Sequence, residues 1–185
     1  ELGIPYYDKD IFRMVSDKSG VLEEFFHVNS ERPGNNLLYK LVKDLKPADQ
    51  KPSLGKDIVS PDNLFRFQSE LIRELADNES CIIIGRCADY VLKDHDNCVH
   101  VFVCGDMDSK VQRMMHSYSL EESAAVERIK ETDKQRKKYY SYYTGGDWEA
   151  ASNYDLCLNT GNMSIEEAAE NLGSNKLRRL LTITL

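Results

Sequence analysis

Apolar and polar residues along the chain alternate between short apolar runs and longer stretches with helical spacing. The short runs predict strands at residues 4–7, 81–84, 99–104 and 154–158. Helical spacing predicts helices at residues 8–17, 61–77, 88–92, 119–140 and 164–180. Because strands alternate with helices and hairpin signals are lacking, the pattern predicts an α/β fold, a three-layer parallel sheet flanked by helices.

Several of these helices carry a capping signal at their start. Ser60 followed by Pro61 is an N-cap with proline in the first turn. The capping boxes Ser119-x-x-Glu122 and Ser164-x-x-Glu167 predict that helices begin at these two places. Asp8 lies between a predicted strand and a predicted helix, where it is either a cap or a residue of a site at the strand end.

Composition narrows the class of protein. The 185 residues include 24 Lys and Arg against 31 Asp and Glu, a net charge of −7, and 41% are hydrophobic. These values predict one soluble domain over residues 1–185, without nucleic-acid or membrane partners. Five cysteines without a C-x-x-C pair, and without zinc-ligand spacing to the histidines, predict a reducing cytoplasmic location and no metal site.

Gly85-Arg86 follows the most apolar predicted strand, and ligands of open α/β sheets gather at the carboxyl ends of strands. Glycine allows close approach to the backbone, and a guanidinium there can hold a phosphate through two hydrogen bonds. A tight turn with Arg86 paired to a carboxylate explains the same residues. The spacing alone leaves both interpretations open.

A second basic feature lies in the predicted long helix. Residues 128–138 contain six basic side chains and two acidic ones, a net charge of +4 on an acidic chain. Asp133 and Arg136 fall on the inward stripe of this helix. The pair is therefore either a structural bridge or a catalytic arginine oriented by a carboxylate, while the other charges fit a solvated face.

Aromatic residues are concentrated in residues 139–148, which hold four tyrosines and one tryptophan. Stacking on a base is one interpretation, and packing of a helix end against the core is the favoured one.

The chain has no G-x-x-x-x-G-K-[ST], G-x-G-x-x-G, H-E-x-x-H or G-x-S-x-G motif. Spacing alone therefore predicts an α/β domain with an anion-binding crevice.

The order of motifs resembles the cytidylate kinase-like family of P-loop nucleoside monophosphate kinases. The matching stretches are residues 2–10, 82–92, 101–103 with Arg113 downstream, 133–140, 144–148 and 154–160. The resemblance implies that a first strand and a glycine-rich phosphate loop, which precede Leu2-Gly3-Ile4-Pro5 in that family, are absent from this sequence. Cytidylate kinases proper show Asp-Gly-Arg-Asp where this chain has Ile84-Gly85-Arg86-Cys87.

The resemblance also implies roles for individual residues. Arg86, Asp8 and Asp89 would bind the acceptor nucleotide, and Arg113 would face ATP. Arg136, oriented by Asp133, would close over the transferring phosphoryl group, with Arg128 as a further catalytic residue.

The expected function is direct phosphoryl transfer from ATP, bound with Mg²⁺, to a nucleoside monophosphate such as CMP or dCMP. Residues 27–60 would form a mobile monophosphate-binding insertion and residues 113–148 a lid. The alternative is a non-catalytic nucleotide-binding or regulatory module with this fold. Without a phosphate loop, residues 1–185 alone are expected to show little or no kinase activity.

Overall fold

The computed structural model describes residues 3–29, 60–174 and 180–184. The strands are β1 (Tyr6–Tyr7), β2 (Cys81–Ile84), β3 (Cys98–Cys104), β4 (Leu156–Asn159) and β5 (Leu180–Thr184). The α-helices are α1 (Asp10–Ser19), α2 (Glu23–Asn29), α3 (Pro61–Asn78), α4 (Ala88–Val91), α5 (Met107–Tyr118), α6 (Glu122–Thr144) and α7 (Ile165–Ser174). A 3₁₀ turn, Ala151–Asn153, precedes β4. The predicted α/β class is confirmed.

The five strands form one sheet in the order β1-β2-β5-β3-β4, and every pairing is parallel. The connection from β2 to β3 skips one position in the sheet, and β5 fills it. Leu180 is the register partner of both Cys81 on β2 and Cys98 on β3. The last strand along the chain therefore joins the two halves of the sheet.

The prediction of a helix over residues 164–180 is wrong at its end, because α7 stops at Ser174 and β5 starts at Leu180. Three β-branched residues, Thr182, Ile183 and Thr184, favour a strand over a helix. Leu180 and Leu181 are almost completely buried in the centre of the sheet. Residues 154–158 were expected to form the last strand, but β4 is an edge strand followed by β5.

The helix starts give a mixed result. Ser60 accepts a hydrogen bond from the Asn63 backbone N–H (3.3 Å), and the Ser164–Glu167 box is formed in both directions. The Ser119 capping box is wrong: Ser119 has a left-handed backbone (φ 52°) and ends α5. The long helix begins at Glu122 and extends to Thr144, one turn past the predicted end at residue 140.

Asp8 does not cap α1, because Lys9 occupies the N-cap position and no side chain caps this helix.

The main core lies between β1, β2 and helices α1 to α4, with Ile11, Ile72 and Ile83 fully buried. The expected insertion at residues 27–60 lies outside the described residues except at its ends. None of the described helices has the length and apolar character needed to cross a membrane.

Candidate anion-binding site

A cleft of about 180 Å³ opens at the carboxyl ends of β2 and β5, beside the second half of α6. It lies where the chain order reverses in the sheet, the usual place for a ligand in an open parallel sheet. Its walls combine two arginines, one lysine, two carboxylates and three large aromatic side chains. The lining residues are Asp8, Lys9, Ile84, Gly85, Arg86, Cys87, Asp89, Arg136, Tyr139, Tyr140, Trp148 and Thr184.

The turn after β2 has an unusual backbone. Gly85, Arg86 and Cys87 all have positive φ, at 67°, 61° and 53°. For a non-glycine residue this conformation costs roughly 1–2 kcal/mol. The turn is held by a 2.7 Å hydrogen bond from the Gly85 N–H to the Ile183 carbonyl of β5, and strain of this kind clusters at functional sites.

Arg86 is fixed by contacts on several sides, and its side chain is only 7% exposed. Its guanidinium stacks over the Phe12 ring at 4.3 Å from the centroid, and Nη2 lies 3.6 Å from Oδ1 of Asp8. The Gln68 side-chain amide donates to the Arg86 backbone carbonyl (3.3 Å). The sequence left open a phosphate ligand or a paired turn arginine; the structure shows the carboxylate pair and also places Arg86 in the cleft wall.

Arg136 approaches the cleft from α6 and is more exposed than Arg86. Its side chain is 31% exposed, and Nη1 lies 3.9 Å from Oδ1 of Asp133. Asp133 has a closer partner in Lys110 of α5, whose Nζ donates to Oδ2 at 2.9 Å. The predicted Asp133–Arg136 pair is therefore present, but Asp133 chiefly links α5 to α6.

Asp89 lines the cleft and is 4% exposed. Burial raises the pKa of its carboxyl group above the ordinary value, although a hydrogen bond from the Tyr140 hydroxyl acts in the opposite direction. That bond measures 2.7 Å to Oδ2, and the Thr184 hydroxyl lies 3.5 Å from Oδ1. Asp89 therefore touches both α6 and the central strand β5.

Three other residues expected in the site are not among those that line the cleft. Arg113 donates to the Thr160 carbonyl at 3.2 Å, which ties α5 to the end of β4. The Arg128 guanidinium stacks on the exposed ring of Tyr118 at 5.0 Å. Asp133 contacts Arg136 without lining the cleft itself. Of the seven expected residues, the structure brings together Asp8, Arg86, Asp89 and Arg136.

Sequence reasoning missed several cleft residues. Trp148 and Tyr139 pack in a buried aromatic cluster, as the favoured interpretation of residues 139–148 has it, and they also line the cleft. Thr184 could not be placed in the cleft because the predicted helix ends at residue 180 and no strand is predicted for residues 181–184. Nothing in the sequence singled out Lys9 except its position next to Asp8.

Cys87 also lines the cleft, but burial raises the pKa of its thiol well above the ordinary value. The thiol is therefore protonated at neutral pH, and protonated thiols are poor nucleophiles. The cleft thus combines fixed cations with aromatic walls and lacks an activated nucleophile among the described residues that line it. Such a site can bind anions and stabilise negative charge.

Comparisons with known proteins found a matching family, a similar solved structure and a similar curated protein. The model of a family described as cytidylate kinase-like matches residues 1–162. An uncharacterized protein from Eubacterium ventriosum has a similar structure, with a TM-score of 0.57 and 30% identity, over 65% of this chain and 73% of that chain. A uronate isomerase from Corynebacterium glutamicum is 29% identical over 93 residues, which are 48% of this chain. This chain spans 17% of the length of that curated protein.

Proposed function

The chain belongs to the cytidylate kinase-like family, and we propose on this premise that the intact protein transfers a phosphoryl group from ATP to a nucleoside monophosphate. CMP and dCMP are the proposed acceptors. The observation that carries the proposal is the cleft, which gathers Arg86 and Arg136 from distant parts of the chain at the carboxyl ends of parallel strands. Phosphoryl transfer requires cations of this kind to offset charge on the phosphoryl oxygens.

The proposed reaction is a direct displacement. A phosphate oxygen of the monophosphate attacks the γ-phosphorus of ATP, the bond to the β–γ bridging oxygen breaks, and ADP leaves. Mg²⁺ enters as the ATP complex and neutralises part of the phosphate charge. No enzyme nucleophile takes part, which agrees with a cleft whose cysteine, Cys87, is buried and protonated.

Arg86 binds the acceptor phosphate in this proposal, and Asp8 holds its guanidinium in place. The ion pair at 3.6 Å and the Phe12 ring leave Arg86 little freedom, so binding the phosphate requires little ordering. Arg136 acts on the transferring phosphoryl group, where charge develops in the transition state. Its partial exposure allows it to reach the phosphate when substrate binds.

Aromatic side chains supply the other walls. Trp148 packs edge-on against Phe102 at 5.5 Å, and Tyr139 is buried beside Phe65, so the rings are held in place. Such fixed rings exclude water from the cleft. The proposal keeps three further assignments. Residues 27–60 form the monophosphate-binding insertion, residues 113–148 form the lid, and Arg113 faces ATP. We also propose a cytoplasmic location, since all five cysteines are free.

The test is a measurement of ADP formed by the intact protein from ATP, Mg²⁺ and a panel of nucleoside monophosphates. We expect ADP with CMP or dCMP and none with ATP alone. Lys130→Ala serves as the control, because it removes one cation from the exposed surface of the same helix as Arg136. Binding of ATP and CMP without ADP formation would overturn the kinase proposal in favour of a non-catalytic nucleotide-binding module.

A further inference from the structure

Asp89 stands apart from the other acidic residues of the described ranges. It is the one buried carboxylate among them. The other buried polar residues in those ranges are neutral, and they are Gln68, Ser69, Thr182 and Thr184. Burying an ionisable group is costly unless hydrogen bonds compensate, so its position needs an explanation. The explanation lies in what its two oxygens join.

Oδ2 of Asp89 accepts the Tyr140 hydroxyl at 2.7 Å, and the two residues come from different elements. Asp89 lies in α4, three residues after Arg86, so it is attached to the strained turn that holds that arginine. Tyr140 lies in α6, four residues after Arg136. Residues four apart on a helix share a face, so the Tyr140 hydroxyl and the Arg136 guanidinium lie on the same side of α6.

Tyr140 is itself well supported. It is 5% exposed and packs in one cluster with Cys87 and Trp148. Its backbone carbonyl accepts the Thr144 hydroxyl at 2.8 Å, close to the end of α6. Oδ1 of Asp89 lies 3.5 Å from the Thr184 hydroxyl, which links the same carboxylate to the central strand β5.

We propose that the Asp89–Tyr140 hydrogen bond is a positioning contact that sets where Arg136 stands over the cleft relative to Arg86. The inference rests on the proposed function for its kinetic consequence, whereas the contact itself does not depend on it. Asp89 and Tyr140 are positioning residues here: they act through the two arginines. The bond fixes the inward face of α6 at the position that brings the Arg136 guanidinium to the transferring phosphoryl group.

The kinetic test uses Tyr140→Phe, which removes only the hydroxyl oxygen. We expect kcat to fall about tenfold while KM for CMP, which depends on Arg86, stays near its wild-type value. Tyr142→Phe is the matched control, because it removes a hydroxyl from the exposed side of the same helix. Asp89→Ala removes the acceptor of the same hydrogen bond and should lower kcat at least as far as Tyr140→Phe does.

A double-mutant cycle separates positioning from a general loss of structure. If Tyr140 acts through Arg136, Tyr140→Phe should cost little further activity in an Arg136→Ala background, since the group that it positions is gone. An equal tenfold loss in both backgrounds would overturn the proposal. A wild-type kcat for Tyr140→Phe in the Arg136-containing protein would overturn it as well.

A second measurement does not depend on activity. Tyr140→Phe should speed amide hydrogen exchange in the second half of α6, residues 133–144, and leave the first half near wild type. Unchanged exchange in residues 133–144 would contradict the contact's role. If the wild-type protein forms no ADP, the proposed function fails, and the exchange measurement still decides whether the contact holds the helix. If ADP forms and Tyr140→Phe changes neither kcat nor exchange, only the present inference fails.

Discussion

The two arginines of the cleft stand in opposite environments. Arg86 lies on the strained turn that follows β2. Its side chain is 7% exposed and stacks over the Phe12 ring. Arg136 lies on a long helix, is 31% exposed, and has Nη1 at 3.9 Å from Oδ1 of Asp133. A desolvated cation–π contact contributes about 2 kcal/mol, whereas a partly exposed ion pair contributes about 0–1 kcal/mol. Arg86 is therefore held in place before any ligand binds, whereas Arg136 presents a partly exposed side chain that a ligand can reach.

The difference assigns distinct tasks to the two regions. A group that is fixed before substrate arrives contributes to ground-state binding and to the transition state alike. A group that reaches its ligand late contributes chiefly to the transition state. The predictions below test this contrast, in order from the largest expected effect to the smallest.

Turnover should be most sensitive to Arg86. Arg86→Ala should lower kcat/KM for CMP at least about a hundredfold and raise KM, because both binding and charge stabilisation are lost. Arg86→Lys keeps the charge but loses the two-point geometry, and should recover only part of the activity. Steady-state kinetics with CMP as the varied substrate measure both constants, and a wild-type KM in Arg86→Ala would refute the fixed-anion-site role.

Arg136→Ala should lower kcat by about a hundredfold while leaving KM for CMP nearly unchanged, since its contribution is made in the transition state. The fold should be intact, because the side chain is partly exposed and lies outside the main core. Kinetics and a thermal unfolding curve on the same preparation check both statements. An equal rise in KM for both arginine variants would remove the contrast between the two regions.

The central strand β5 supports the turn that carries Arg86, because the Ile183 carbonyl accepts the Gly85 N–H. Leu181→Ala on β5 should reduce the free energy of unfolding by about 2–5 kcal/mol, because it leaves a cavity in the middle of the sheet. Leu156→Ala makes the same change on the edge strand β4, at a half-buried position, and should cost less. Urea unfolding followed by fluorescence gives both values. Equal losses would show that β5 is not the element on which the sheet depends.

The smallest effect concerns pH. Burial raises the pKa of Asp89 in the folded state above its ordinary value of 3.8. The folded protein therefore holds this proton more tightly than the unfolded chain, and the Asp89 contribution to stability declines as the pH rises from 3.8 through the folded-state pKa. Asp89→Asn should remove this decline, and unfolding curves between pH 4 and pH 7 compare the two proteins. A wild-type stability that rises more steeply with pH than that of Asp89→Asn would contradict the direction of the shift.

Local signals in the sequence predicted the region around Arg86 better than the contacts of α6. Gly85-Arg86 follows a short apolar strand, and Ser60-Pro61 marks the start of α3, so both are found from neighbouring residues alone. Partners that come from distant elements escape such reasoning. Lys110 pairs with Asp133 across two helices, and Tyr140 reaches Asp89 from 51 positions away.

The central strand was missed for a related reason. The capping box at Ser164 starts a genuine helix, and the helical pattern was continued past its end at Ser174 into β5. Residues 180–184 fill the gap that β2 and β3 leave between them, where β5 pairs with both strands. That gap is a property of the assembled sheet. Thr184 enters the cleft as a consequence, and no local pattern could have placed it there.

The central claim is that Arg86 and Arg136 face one polyphosphate cleft, and calorimetric titration with inorganic pyrophosphate tests it most directly. Pyrophosphate carries two linked phosphate groups, so it offers acceptor oxygens to more than one guanidinium group. We expect Arg86→Ala to weaken its binding at least about tenfold and Arg136→Ala to weaken it by a smaller but measurable factor, while Lys130→Ala binds as the wild type does. Wild-type affinity in either arginine variant would show that the two side chains do not share a cleft, and would contradict the account.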